Sequence, residues 1–535
     1  MMLLAVFTKL DWLVVGGYFA LMFCIGHLSA RRQTDAEGYF LGERKMPVWA
    51  VALSIVATSL SVATFVGAPQ YSFTGDLTYL SLNIGVFIAA IVVATVFLPK
   101  LYASGTVTIY GFIDQRFGEP SRLATSAMFL LGRLLASGAR LYIAAIPVCL
   151  LVFGAFEPKR WQLIVAILVI GAVGVAYTVA GGIRAVIVTD CVQILIVIGS
   201  CALGIALLLQ KIPLSLGEMW NVLGDSTSGP HGSKLKLVDP SFDTTRPFTL
   251  WTALIGATFL NTASLGVDHD LVQRMLTTRS AVKGSLSLIA SQVVSFFVVS
   301  LFMVIGLLLY IFYNRPDLMG SAAPTDPMRA TFQVYPQFLL FHLPTGLAGL
   351  AIAGMFAAAQ GSLDSAINAM ASSAVADLYW PLRARSGRPV DTGSKTPRFA
   401  VAGMGALLIG FAILAALYYD PKGRQPLIDF ALGVMSFAYT GMLGVFLTAL
   451  LTRRGNNATV LAALLTGLMV TTLLQDAVYG WWTRHLFGTP HRLASFWWMP
   501  IGTTISFVVC AAGNARSARS APEEKIRYRP PVITE

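Results

Sequence analysis

Apolar residues fill this chain in long runs that are separated by short polar segments. A run of about 18 or more apolar residues is long enough to cross a bilayer as a helix, and such runs recur along nearly the whole chain. The pattern predicts an all-α polytopic membrane protein with about 13 transmembrane helices. The predicted spans are 10–30, 48–71, 78–102, 123–153, 161–181, 184–210, 248–270, 284–313, 343–380, 399–419, 426–452, 457–479 and 494–514.

Two of these spans are interrupted in the middle by small and polar residues. Segment 57–61 reads Ala-Thr-Ser-Leu-Ser, and segment 261–266 reads Asn-Thr-Ala-Ser-Leu-Gly. The interrupted spans lie five apart, which predicts two five-helix repeats, residues 48–210 and 248–452, followed by extra helices over 457–514. Matching broken helices in two halves indicate a transporter's central site, where unwound backbone exposes carbonyls. The alternative is that Ser and Thr only allow close helix packing.

Polar side chains also lie in the middle of the ninth predicted span, where a carboxylate costs roughly 2.5–3.5 kcal/mol. Hydroxyls, carbonyls and carboxylates form a hard oxygen shell suited to an alkali cation, and no His or Cys joins them. A second carboxylate, Asp190, lies in the sixth span, where a structural pair with Arg184 is the alternative explanation. The polar residues of the ninth span are Gln360, Ser362, Asp364, Ser365 and Asn368.

Two arginines, Arg133 and Arg140, fall inside the fourth predicted span and are seven residues apart, so they share a helix face. Arginine within a membrane is costly and points to function by default. One of the two is a candidate for holding a substrate carboxylate in a bidentate contact. A structural pair with Asp190, Asp268 or Asp364, or with helix-end carbonyls, is the alternative.

Composition supports the membrane prediction, since 56% of residues are hydrophobic and only 12% are charged. The net charge of +12 comes from Lys and Arg in loops, which predicts a cell (inner) membrane protein with its N-terminus outside and its C-terminus cytoplasmic. Residues 516–535 are predicted to form a flexible cytoplasmic tail after one transmembrane domain, 1–515. No separate basic domain is present to bind nucleic acid, and no H-E-x-x-H or G-x-S-x-G motif indicates an enzyme.

Several segments, in matching order over about residues 10–515, resemble motifs of the sodium/solute symporter family. The segment 181–193 resembles the pattern GG..AV..TD..Q, and 38–42 matches the start of YFLGGR. The segment 268–276 resembles DQ..VQR.L with His at 269, 361–370 is similar to SS..S..N with Gly at 361, and 433–453 is similar to G..LG.FL.G...R. The resemblance implies a LeuT-like five-plus-five inverted repeat with extra flanking helices. It further implies symport of Na⁺ and a small organic solute by alternating access.

The resemblance also implies site residues. The main Na⁺ site would use the carbonyls of Ala57, Leu60 and Ala358 and the hydroxyl of Ser362, while Gly361 lacks the hydroxyl that the family has there. A further Na⁺ site would use Asp190, Ser365 and Asp364. Asp364 replaces a hydroxyl residue of the family and either compensates for Gly361 or carries a proton. The solute would lie between the broken helices, near Ser59, Thr64, Arg133, Arg140, Asn261, Ser264 and Asp268.

These observations favour a sodium-coupled symporter over two alternatives, a proton-coupled symporter that uses Asp364 and a membrane sensor that transports nothing. A sensor would carry an appended soluble domain, for which the tail is too short. The sequence leaves open the solute, the stoichiometry and the oligomeric state.

Overall fold

The computed structural model describes residues 8–30, 35–230, 232–324, 331–389, 393–418 and 427–514. Within these ranges the chain forms helices and loops, apart from two isolated β-bridges. The predicted tail, 516–535, lies outside the described residues, as do both chain ends, whose predicted orientation is therefore not described.

The first half of the chain contains ten α-helices between residues 9 and 224 of the described residues. Three π-helical segments, Val93–Phe97, Thr252–Ala257 and Ala374–Tyr379, continue or precede α-helices. The helices of the first half are α1 Lys9–Ala30, α2 Ala36–Leu41, α3 Val48–Ser59, α4 Val62–Thr74, α5 Leu82–Val92, α6 Leu98–Ser104, α7 Tyr110–Phe117, α8 Glu119–Phe153, α9 Arg160–Lys211 and α10 Leu216–Gly224.

The second half begins with the second broken span. Its helices are α11 Thr258–Gly266, α12 His269–Leu276, α13 Ala281–Asn314, α14 Pro316–Met319, α15 Val334–His342, α16 Leu347–Ser373, α17 Trp380–Arg385, α18 Lys395–Tyr418, α19 Leu427–Leu451, α20 Asn457–Leu474, α21 Asp476–Phe487 and α22 Trp498–Ala511.

Eight helices in the described residues are long and apolar enough to span a membrane, or nine when the bent pair α3 and α4 is counted as one span. Helix α9 contains a further break at Gly182, whose φ of 55° and ψ of −157° are not helical. This break separates the predicted spans 161–181 and 184–210. The total of 13 spans stays a prediction, and the predicted span 457–479 is too long because α20 ends at Leu474.

The first predicted interruption is confirmed. Helix α3 ends at Ser59, α4 begins at Val62, and the two axes differ by 67°. Leu60 and Ser61 between them have extended backbone. The last carbonyls of α3 and the first amides of α4 therefore lose intrahelical partners.

The second interruption lies further along the chain than predicted. Helix α11 continues through Asn261 and Ser264 to Gly266, and the backbone leaves the helix only at Val267. Asp268 then restarts the chain as α12, because its side chain accepts a hydrogen bond from the amide of Asp270 as an N-cap. The predicted break at 261–266 was wrong in position because small polar residues are compatible with a helix. The N-cap geometry of Asp268 determines where α12 begins.

Helix α16 lies at the centre of the bundle. In its most apolar stretch 94% of the residues are buried, compared with 22% in that of α1 at the periphery. Neighbouring helices include α9, α1, α8 and α3. The polar middle of α16 is therefore enclosed by protein rather than by lipid, and its cost must be offset by contacts within the bundle.

Candidate functional site

A cavity of about 190 Å³ opens beside the break between α3 and α4. Helices α3, α4, α8, α11 and α13 contribute to its walls. Six of the seven residues predicted to contact the solute line it, and Asp268 does not. The six are Ser59, Thr64, Arg133, Arg140, Asn261 and Ser264.

Other wall residues were missed by sequence reasoning. Asn83 and Gln292 are polar residues in apolar spans, and that rarity was a usable signal. Ser295 adds a hydroxyl one turn from Gln292. Phe496 comes from the turn that precedes α22, and no local pattern distinguishes it from an ordinary packing residue.

The guanidinium of Arg133 contacts two carboxylates. Its Nη1 lies 2.9 Å from Oδ2 of Asp268, and its Nη2 contacts the carboxylate of Asp270. The hydroxyl of Tyr439 donates a hydrogen bond to Asp268 as well. Only 4% of Arg133 is exposed. The structural pair that the sequence left open for Arg133 is therefore formed, and it occupies Asp268 at the same time.

Arg140 lies two turns further along α8 and lines the same cavity. It also borders a second, much smaller cavity of about 10 Å³, whose other walls include Ser61 and Ser362. Arg140 thus stands between the large cavity and the predicted cation ligands on α16. A guanidinium in this place is able to form bidentate hydrogen bonds to a carboxylate.

The predicted ligands of the main sodium site meet where the end of α3 touches α16. The amide of Leu60 donates to the carbonyl of Val56, so the carbonyls of Ala57 and the residues after it have no donor from their own helix. A Cβ placed on Gly361 would lie 3.0 Å from the Ala57 carbonyl oxygen. Ala358 and Ser362, one turn apart on α16, are buried beside this contact.

Asp190 of the further predicted site pairs with Arg274, not with Arg184. Its Oδ2 accepts a hydrogen bond from the hydroxyl of Ser54 and lies 3.4 Å from Nη2 of Arg274. Arg274 also contacts the hydroxyl of Ser365. Arg274 is fully buried and was named only within the family motif at 268–276, although a lone basic residue next to an apolar span was a signal.

Asp364 faces Tyr177 and its own helix. The Tyr177 hydroxyl donates to Oδ2 of Asp364 at 2.6 Å, and the amide of Ser365 donates to Oδ1 at 2.7 Å. Asp364 is fully buried. These donors belong to a polar network in which the side-chain amide of Gln193 connects Tyr177 to Tyr18.

Seven ionisable groups lie around the two breaks. Three arginines and four aspartates give a net charge of −1 when all seven are ionised. The arginines are Arg133, Arg140 and Arg274, and the aspartates are Asp190, Asp268, Asp270 and Asp364. An uncompensated charge in a low-dielectric interior is costly, so one monovalent cation here would be stabilised.

Comparisons with known proteins agree with this arrangement. The model of the sodium:solute symporter family matches residues 39–467. The sodium/sialic acid symporter SiaT of Proteus mirabilis is 27% identical over 84% of this chain and 86% of its own length. The human sodium-coupled monocarboxylate transporter 1 is 26% identical over 87% of this chain and 73% of its own. The human sodium/iodide cotransporter is 26% identical over 85% of this chain and 68% of its own.

A solved structure has the same fold. The substrate-bound, outward-open structure of a Na⁺-coupled sialic acid symporter covers 94% of this chain and 97% of its own, with a TM-score of 0.76 and 23% sequence identity. The LeuT-like architecture predicted from the sequence is thereby confirmed. These findings together show that the chain belongs to the sodium:solute symporter family and is a multi-span, sodium-coupled transporter of a small solute.

Proposed function

We propose that the solute is a small organic anion and that Arg140 is its anion-binding residue. The observation that carries this proposal is the position of Arg140, which lines the solute cavity and also borders the small cavity that contains Ser362. Arg140 therefore lies next to both the space for a solute and a predicted sodium ligand.

The relatives support an anion. Sialic acid, monocarboxylates and iodide, which their names give as solutes, are all anions at neutral pH. The cavity of about 190 Å³ corresponds to about six water molecules at about 30 Å³ each, which favours a small solute. Its polar walls supply hydroxyl and amide groups that would orient the solute. They include Ser59, Thr64, Asn83, Asn261, Ser264 and Gln292.

We propose that the coupling sodium ion binds at the contact of α3 and α16. The Ala57, Leu60 and Ala358 carbonyls and the Ser362 hydroxyl would provide its oxygen ligands. Ser362 donates to the Ala359 carbonyl at 3.2 Å, which leaves its lone pairs available to a cation. Ser362 also shares the small cavity with Arg140, so a bound cation and a bound anion would lie close enough to stabilise each other.

A second ion at Asp190, Ser365 and Asp364 would have to share these residues with Arg274, whose guanidinium already contacts Asp190 and Ser365. Proton coupling through Asp364 would likewise involve a group that already has hydrogen-bond partners. Both of its oxygens accept hydrogen bonds, and Tyr177, which donates to one, accepts from Gln193. We therefore propose one Na⁺ at the α3–α16 contact as the coupling ion.

Transport would follow alternating access. The two broken spans, α3–α4 and α11–α12, each open a predicted five-helix repeat, residues 48–210 and 248–452, and both border the cavity. Na⁺ bound across α3 and α16 would bridge the two repeats and favour the conformation that accepts the solute. The inward movement of a charge gains about 2.3 kcal/mol per 100 mV of membrane potential, which drives accumulation.

Uptake into proteoliposomes tests this function. The solutes would be radiolabelled pyruvate, sialic acid and iodide, with glucose as an uncharged control, under an inward Na⁺ gradient or an equal gradient of choline. We expect Na⁺-dependent uptake of at least one anion, and its loss in Ser362→Ala. Uptake that follows an inward proton gradient and is abolished in Asp364→Asn would support the proton-coupled alternative instead.

The orientation in the membrane is a further part of the proposal. The loops between spans place more Lys and Arg on one side, which supports a cell (inner) membrane location with the N-terminus outside and the C-terminus cytoplasmic. Epitope tags at the two ends, probed in intact and permeabilised cells, test it. We expect only the N-terminal tag to be accessible in intact cells, and the opposite accessibility would reverse the assignment.

A further inference from the structure

The space beside Gly361 is bordered by two oxygens that have no obvious partner. A Cβ on Gly361 would lie 3.0 Å from the Ala57 carbonyl oxygen and 3.1 Å from Oε1 of Gln193. Gln193 is 1% exposed, and its Oε1 has no hydrogen-bond partner in the described part of the chain. A buried amide oxygen without a donor is costly, so this position calls for a positively charged or hydrogen-bonding occupant.

The neighbouring hydrogen bonds fix which end of the Gln193 amide faces this space. The Tyr177 hydroxyl donates its proton to Asp364, and the Tyr18 hydroxyl donates to Oε1 of Gln360. Because Asp364 can only accept, the Tyr177 oxygen is able only to accept from Gln193, at 3.3 Å, and the same Nε2 lies 3.4 Å from the Tyr18 hydroxyl oxygen and 3.8 Å from Sδ of Met22. The NH₂ group must point toward the tyrosines, and Oε1 must point toward Gly361.

We infer that Oε1 of Gln193 is a ligand of the coupling sodium ion and takes the place of the hydroxyl that is missing at position 361. This inference rests on the proposed sodium site at α3 and α16. Glycine at 361 is what admits the amide, because a side chain there would come against both Gln193 and the Ala57 carbonyl. Helix α9 would then contribute to a site that otherwise consists of α3 and α16.

Asp364 is less suited to fill the same gap. Its two oxygens are engaged by Tyr177 and by the amide of Ser365. Asp364 accepts a hydrogen bond from Tyr177, and Tyr177 accepts one from the NH₂ group of Gln193. Asp364 therefore acts on the sodium site through Gln193. The carboxylate therefore positions the ligand oxygen toward the cation.

Sodium titrations of the purified full-length protein, followed by thermal unfolding at constant ionic strength with choline, test this inference without a solute. Gln193→Leu should weaken the apparent Na⁺ affinity by about tenfold, the effect of losing one oxygen contact to a charged group. Gln333→Leu is the matched control, because Gln333 is an equally buried glutamine that lies before α15 and outside this network, and the Na⁺ affinity of this variant should stay near that of the wild type.

A rescue variant separates ligation from structural support. Gln193→Ala combined with Gly361→Ser removes the amide and restores a hydroxyl at 361, and it should recover most of the lost Na⁺ affinity. Equal Na⁺ affinity in Gln193→Leu and the wild type would overturn the inference, as would a double variant no better than Gln193→Ala alone.

Gln193→Glu covers the case in which Gln193→Leu does not fold. A carboxylate oxygen in the same place should tighten Na⁺ binding, and unchanged affinity would overturn the inference. If Na⁺ does not change the unfolding temperature of the wild type, the proposed sodium site itself is contradicted. If Na⁺ stabilises the wild type and Gln193→Leu equally, only the role of Gln193 is contradicted.

Discussion

Arg133 and Arg140 lie seven residues apart on one helix and line one cavity, yet their surroundings differ. Arg133 is 4% exposed and contacts two carboxylates from the start of α12. Arg140 faces both the solute cavity and the small space next to Ser362. Arg133 connects α8 to the second broken span, and Arg140 borders both cavities.

The comparison shows that the partner of a buried charge is decided by the chain that folds against it. Helix periodicity puts both arginines on one face, and nothing in α8 itself distinguishes them. Arg133 forms ion pairs with two carboxylates because α12 restarts at Asp268 and brings Asp268 and Asp270 against it. An ion pair of this kind is a structural element, whereas the role proposed above for Arg140 is recognition of the solute.

The largest expected effect is on stability, in Arg133→Met. This change leaves Asp268 and Asp270 buried without their shared cation, although Arg274 still contacts Asp270 at 2.8 Å. We expect the free energy of unfolding to fall by about 3 kcal/mol. Thermal unfolding of the purified variant measures it, and a variant as stable as the wild type would contradict the structural role of Arg133.

Arg140→Met should mainly affect solute binding. Loss of a charge-assisted contact to a desolvated anion costs about 2–5 kcal/mol, so solute affinity should fall by at least about thirtyfold. Na⁺ alone should still raise the unfolding temperature of this variant. A variant that binds the solute as tightly as the wild type would contradict the proposed role of Arg140.

A smaller effect is expected when a negative charge is introduced into the cavity. Asn261 lines it and donates to the Ala257 carbonyl at 2.7 Å. Asn261→Asp should weaken binding of an anionic solute by at least about tenfold because like charges repel. Asn261→Ser, which adds no charge, is the matched control. Equal losses in both variants would indicate that the amide, not the electrostatic field, matters for the solute.

A further effect, confined to alkaline pH, concerns Lys234, a buried side chain in the loop before α11. Its ammonium donates to the carbonyls of Ser72, Phe73 and Gly75 at the end of α4. Burial lowers the pKa of Lys234 from 10.5 to about 8. Between these values the unfolded chain holds a proton that the folded chain has lost, so this group favours the folded state increasingly as pH rises.

The wild type should therefore gain stability relative to Lys234→Met between about pH 8 and about pH 10, and the difference should level off below that window. Paired unfolding temperatures across the window measure this gain. A constant difference between the two proteins would show that Lys234 keeps its ordinary pKa in the folded state.

Much of the fold was predictable because lipid imposes strong rules. Long apolar runs marked the helices, and small polar residues marked the break at Leu60 and Ser61. The second break was placed too early, because the N-cap of Asp268 depends on backbone geometry that the polar pattern of 261–266 does not reveal. Six predicted solute residues meet at one cavity, since they lie on the helices that the repeats bring together.

The rest depended on contacts between distant helices. Arg274 reaches Asp190 across 84 residues, and Tyr177 reaches Asp364 across 187. No local spacing encodes either pair. The orientation of the Gln193 amide follows from two tyrosines on other turns and helices, so it becomes visible only when the bundle is assembled.

The measurement that tests the account most directly is thermal stabilisation of the wild type and of Arg140→Met by pyruvate, sialic acid, iodide and glucose, each with NaCl or choline chloride at equal ionic strength. A ligand that binds the folded state raises its apparent stability by mass action. We predict that at least one anion, and not glucose, stabilises the wild type only with Na⁺, and that Arg140→Met loses this response while it keeps the response to Na⁺ alone. Stabilisation of Arg140→Met by the same anion to the same extent would contradict the account.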